Sequence, residues 1–245
     1  MKDLVRILYA TLSVSILLAA HYPLSLAAQD KGMTERMGHQ KEMKGNEVTV
    51  GLRAGHNAAF GGFAAMSVET YQTIRGGLAI SCGVQYNTIG KTTLEARPAY
   101  IIGFDWGRLT PELLLTYTDL ASTGSFAAGA GLGADFGRVS TKLGYYYHTF
   151  GGHGGWITEP FNIYYELNVH LLQKIDDWKV DLIITNNEMF ELERHYQPSF
   201  IARCCHYPTD RLGISFGIGC KPAGMFHMSA DYYQTYIKTG VCYRW

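Results

Sequence analysis

Excess charge of either sign is missing: 21 Lys and Arg face 21 Asp and Glu across 245 residues. Without surplus cations there is no basic face to neutralise phosphates, which excludes nucleic acid as a partner. Charged residues make up only 17% of the chain, below the quarter or so usual for a soluble domain. Proline is sparse at seven, and low charge with many aromatics excludes disorder. No apolar run reaches the ~20 residues that a spanning helix needs. No stretch after the first 46 residues carries a convincing helical period. The five cysteines follow no metal-ligand spacing, so the sequence implies no metal and no cofactor. Their odd number leaves at least one thiol unpaired or bonded between chains. What is abundant is Gly (28), Tyr (17) and Phe (11).

The N-terminus reads as an export signal over residues 1–27. Lys2 and Arg6 form a charged n-region, Ile7 to Ala20 an apolar h-region, and Ser25-Leu26-Ala27 a small-residue cleavage site. No cysteine stands at the expected mature start, so no lipid anchor is implied. Residues 28–46 are polar and aperiodic, a periplasmic linker or tail. Met33, Met37, His39 and Met43 fall within it, but thioether spacing alone fixes no copper geometry.

From residue 47 to 245 the chain alternates with a period of two, which sends side chains to opposite faces of a strand. Phe161, Ile163, Tyr165, Leu167, Val169 and Leu171 share one face; Asn162, Tyr164, Glu166, Asn168 and His170 share the other. The same pattern sets Phe126, Leu132 and Phe136 against Gly129, Gly131 and Gly133, and Trp178, Val180 and Leu182 against Lys179 and Asp181. A soluble sandwich would pack the apolar face on a second sheet, whereas a membrane barrel turns it to lipid. The export signal, the tight turns, the aromatics at strand ends and a chain ending inside a strand favour the barrel. The expected fold is all-β: a closed antiparallel up-and-down transmembrane barrel.

Thirteen strands can be read: 47–57, 61–73, 77–88, 93–105, 109–118, 124–136, 139–149, 160–172, 177–185, 198–207, 210–220, 224–233 and 235–245. An odd number cannot close such a barrel with both ends in the periplasm. Glu188 to His195, after the turn-like Asn186-Asn187, supplies a fourteenth. The alternative is twelve strands, with the segments around Phe190 and Phe200 joined and another pair merged.

The ending Tyr236-Ile237-Lys238-Thr239-Gly240-Val241-Cys242-Tyr243-Arg244-Trp245 resembles the C-terminal signal of Gram-negative outer-membrane β-barrel proteins, the porin-like superfamily. The resemblance implies residence in the outer membrane, with membrane lipid around the wall. It also implies that the barrel-assembly machinery reads Val241, Tyr243 and Trp245.

The functional expectation is a passive channel or porin for small solutes or ions. Its lumen would be lined by Glu166, Asn168, His170, Gly129, Gly131, Gly133, Lys179, Asp181, Lys238 and Arg244. Two alternatives stand beside it. One is a structural or complex-forming barrel. The other is a lipid hydrolase using His227 and Ser229 with Asp231 as the acid, since residues two apart on a strand share a face. The alternation turns that pair towards the lumen, away from lipid, and no catalytic residue is assigned on this basis. The glycine run at 129–133 lies within a strand, without the strand-to-helix turn a nucleotide loop needs.

Overall fold

The computed structural model describes residues 46–120, 123–152, 154–175, 177–192, 197–222 and 232–245. The strands are β1 (Glu47–Asn57), β2 (Gly61–Thr73), β3 (Leu78–Asn87), β4 (Lys91–Tyr100), β5 (Ile102–Phe104), β6 (Gly107–Leu120), β7 (Thr123–Asp135) and β8 (Val139–Gly152). They continue as β9 (Gly155–Ile175), β10 (Trp178–Thr185), β11 (Asn187–Glu188), β12 (Glu191–Leu192), β13 (Ser199–His206), β14 (Leu212–Pro222) and β15 (Tyr232–Arg244).

Each wall strand pairs antiparallel with its neighbours, and β1 pairs with β15 along its full length, from Glu47↔Arg244 to Asn57↔Gln234. The β4–β6 pairing completes the ring. The three-residue β5 continues β4 along β6, and β11 and β12 form a separate two-stranded sheet. Twelve strands therefore close the wall, the smaller of the two counts. Closure leaves no unpaired sheet edge around the ring, the condition for burying strands in lipid.

The alternation sorts the faces as the chemistry requires. Outward residues such as Leu52, Leu113, Leu132, Leu143, Ile163, Phe216, Ile237 and Val241 are exposed. The intervening Arg53, Glu95, Glu112, Asn162, Asn168, Asp181 and Lys221 are buried. Aromatics crowd the ends of the outer face, where amphipathic rings suit an interface. At the end where β1 begins and β15 finishes, Trp106 stacks on Phe104 at 5.1 Å and on Phe136 at 5.5 Å. Trp178 stacks on His206 across β10 and β13 at 4.5 Å.

Glu188–His195 is not a fourteenth wall strand. Of that stretch, residues 193–195 lie outside the described ones, while Asn187–Glu188 and Glu191–Leu192 pair as a short hairpin. Alternation in the wall would have set Arg194 on the lipid face beside Phe190 and Leu192. The hairpin instead takes Glu188, Phe190 and Glu191 into the barrel. The expected strand 224–233 lies outside the described residues except for Tyr232 and Tyr233, which begin β15.

Candidate functional site: a strap across the barrel

The connection from β10 to β13 starts at the end away from the start of β1 and turns inward. Asn186 makes the turn possible. Its side-chain carbonyl accepts from the Tyr165 N–H at 2.7 Å and its amide donates to the Ile163 carbonyl at 2.8 Å. One side chain thus continues the β9 ladder where β10 has ended, satisfying backbone groups that would otherwise be unpaired. Asn187 is then steered by its own N–H, which donates to the Thr185 hydroxyl at 2.9 Å.

In the strand ring β3 and β4 lie opposite β10 and β13, and the hairpin reaches them. Arg97 on β4 donates to the Asn187 side chain at 2.8 Å, and Glu95 accepts from the Phe190 backbone N–H at 2.8 Å. Glu95 and Arg97 also pair with each other. The Phe190 ring, 1% exposed, lies over Gly83 on β3, where a Cβ would be 2.5 Å from the ring. Phe190 has φ +69°, a left-handed conformation costing a bulky residue of order 1–3 kcal/mol. The ring's burial over the glycine and the bond to Glu95 hold it there.

The flank is fastened by charge. Arg53 on β1 contacts Glu191 at 2.6 Å and Glu188 at 3.6 Å. Lys221 on β14 pairs with Glu191, and the Tyr236 hydroxyl on β15 donates to Glu188. The Arg53 guanidinium also lies 3.5 Å from the Tyr236 ring centroid, close enough for cation–π attraction. Burial works against the Glu191 carboxylate, but Arg53 and Lys221 outweigh it and hold the group well below the usual carboxylate range. The strap is therefore tied to the wall at β1, β3, β4, β9, β14 and β15.

Two further polar clusters line the interior. Asp181, fully buried, receives Arg203 at 2.7 and 3.1 Å and lies 2.6 Å from His170. Glu112 meets Lys142 at 3.0 Å and accepts from Tyr164 at 3.2 Å. The Tyr164 ring is fully buried with Leu114, Ala127 and Tyr146, over Gly131 and Gly144, where any Cβ would overlap it.

The residues expected to line the lumen fall as follows. Asn168 is buried on the inner face of β9, and Glu166 stands opposite Lys142 and Thr185 in the two adjacent ladders. His170 and Asp181 come together, with Lys179 two residues before Asp181 on β10. Lys238 reaches Glu69 at 3.3 Å, and Arg244 reaches Glu47 at 2.8 Å near the start of β1. Gly129 and Gly131 are spaces already taken, by the β8 backbone and by Tyr164; Gly133 has ordinary clearance, 3.5 Å to the Thr110 carbonyl. Val241, Tyr243 and Trp245 are about half exposed on the outer face, at 50%, 45% and 45%. His227, Ser229 and Asp231 lie outside the described residues. The five cysteines are free thiols, with Cys204 and Cys205 on opposite faces of β13.

Sequence reasoning passed over Arg53, Glu69, Glu95, Arg97, Glu112 and Arg203. A signal was present: each occupies the polar phase of an alternating strand, as Arg53 does after Gly51. No pattern marked Glu188 and Phe190 as inward-turning, whereas Glu191 belongs to a dense polar stretch suited to lining the pore or making ion pairs.

No protein-family model matches the sequence, and no curated protein matches it. Solved structures do. The KdgM porin, solved in complex with disordered oligogalacturonate, aligns with a TM-score of 0.57 at 10% identity, covering 81% of this chain and 99% of that one. The NanC porin aligns at 0.53 and 13% identity, over 82% and 100%. The translocator domain of the autotransporter NalP from Neisseria meningitidis aligns at 0.54 and 12% identity, over 88% and 93%. Porins and a translocator share this architecture, so the likeness concerns the fold and leaves activity to the site. The chain shares with these solved structures the closed antiparallel β-barrel fold.

Proposed function

We propose that the chain is a Gram-negative outer-membrane channel for small hydrophilic solutes or ions, narrowed by the strap at residues 186–192. The observation that carries this reading is an interior built of charged and amide side chains inside a wall whose outer face is apolar. Lipid surrounds the wall, and the barrel-assembly machinery recognises the last strand through Val241, Tyr243 and Trp245. The interior charges are paired with one another, so the strap restricts the bore by occupying it rather than by presenting one sign of charge. Rings of such groups set the electrostatic barrier to permeation.

The same strap favours a second reading, a closed barrel with a structural role, because Phe190, Tyr164 and Tyr236 fill space inside it. Planar-bilayer recording of the purified barrel separates the two. A small wild-type current that rises when residues 187–192 are replaced by a Gly-Ser linker supports the channel. A silent wild type with a conducting linker variant identifies the strap as a plug. If neither protein conducts, the channel reading falls.

A further inference from the structure

The barrel carries a Ser–His–acid constellation away from the strap. Ser125 on β7 lies with its Oγ 2.9 Å from His148 Nε2 on β8, and Glu159 Oε2 on β9 lies 3.5 Å from His148 Nδ1. Each ring nitrogen therefore meets a different partner. A carboxylate beside Nδ1 favours the tautomer with its proton there, leaving Nε2 to accept from the serine hydroxyl. The acid contact is longer than a tight hydrogen bond, as is common before substrate closes the site.

A break in the ladder builds this arrangement. β8 and β9 pair Tyr146 with Asn162 and His148 with Glu159, so Pro160 and Phe161 both stand opposite Tyr147. Without that bulge, Glu159 would share the outward phase of Phe161 and Ile163, both exposed. The extra residue turns it inward onto His148. Bulges re-aim side chains in this way and recur beside active sites. The His148 ring is held by Phe150, with centroids 5.2 Å apart. Its side chain and that of Glu159 remain 26% and 27% exposed, so a substrate can reach them. Ser125 is two residues from the β6–β7 turn, inside the mouth at the end opposite the start of β1.

We propose that Ser125, His148 and Glu159 form a hydrolytic site for carboxylic esters on water-soluble molecules entering this mouth. Ser125 Oγ attacks the ester carbonyl carbon as its proton passes to His148 Nε2. The C–O bond to the alcohol breaks, and His148 returns the proton to the departing alkoxide, leaving an acyl group on Ser125. Water then loses a proton to His148, attacks the acyl carbon, and releases the carboxylic acid as Ser125 regains its proton. Ser125 and His148 are catalytic residues; Glu159 is a positioning residue that orients the imidazole. The site faces the barrel interior, so soluble esters reach it and acyl chains buried in the leaflet do not. It stands apart from conduction: a silent barrel could hydrolyse, and a conducting one could fail to.

The test uses the full refolded barrel with a fluorophosphonate probe, p-nitrophenyl butyrate, and p-nitrophenyl palmitate in detergent micelles. The wild type is expected to take the probe on Ser125, identified by peptide mass, and to cleave the butyrate ester faster than the palmitate. Ser125→Ala and His148→Ala should each lose about 100-fold or more, the range of a general-base contribution. Glu159→Gln should lower kcat while leaving KM unchanged, which a merely structural loss would not do. Retained heat-dependent gel migration shows that each variant has folded. An adduct on another residue, no adduct with folded wild type, or unchanged hydrolysis in folded Ser125→Ala overturns the site. Preference for the palmitate ester overturns the assigned substrate class.

Discussion

Arg53→Met tests the strap directly, because it removes a charge while keeping most of the stem that packs inside the barrel. The Arg53 side chain is 3% exposed and contacts both strap carboxylates, Glu191 at 2.6 Å and Glu188 at 3.6 Å. Removing one partner of a buried ion pair costs about 3–5 kcal/mol, because the remaining charge is left desolvated. Lys221 still pairs with Glu191 and Tyr236 still donates to Glu188, so the lower end of that range applies. At 1.4 kcal/mol per factor of ten, about 3 kcal/mol multiplies the population of the released strap roughly a hundredfold. A glutamate-specific endoprotease reads this as faster cleavage after Glu188 and Glu191, and bilayer recording reads it as more frequent large-conductance openings. Wild-type cleavage rates together with an unchanged unfolding midpoint would refute the reasoning, since the clamp would then carry no energy.

Other outcomes follow from the same geometry. Ile163→Arg places a charge on the outer face and should destabilise the barrel by ~2–4 kcal/mol near the midplane, measured by denaturant unfolding in lipid. Gly131→Arg should fail to assemble because Tyr164 occupies that space, whereas Gly133→Arg should assemble and alter ion selectivity in bilayers; equal assembly yields would contradict the packing. Deleting Trp245, or replacing Tyr243 and Trp245 with charged residues, should leave the protein in the periplasm, visible by fractionation. Glu191 has a depressed folded pKa, so its stabilisation is present above the ordinary carboxylate range and lost only as pH falls through the lower value. The strap should therefore resist cleavage equally at pH 7 and pH 5 and loosen only in stronger acid, below about pH 4.

The period-two alternation was enough to determine which side of the wall most residues face, because side-chain direction along a strand is a local property. Ile163 against Asn162, and Val241 against Lys238, could be assigned from their own neighbours. Strand number and interior partners could not. An alternating hairpin in the lumen and an alternating strand in the wall carry the same local pattern, and only the partners on distant strands, Glu95 for Phe190 and Arg53 for Glu188 and Glu191, separate them for residues 188–192. Gly131 is legible as inward-facing, yet whether it leaves a space or fits Tyr164 depends on a ring from β9, two strands away. The pairings of Arg53 with Glu191, and of Ser125 with His148 and Glu159, join residues from different strands. The inward hairpin makes the first pairing, and ladder register with one bulge makes the second; both are set by the closed sheet as a whole.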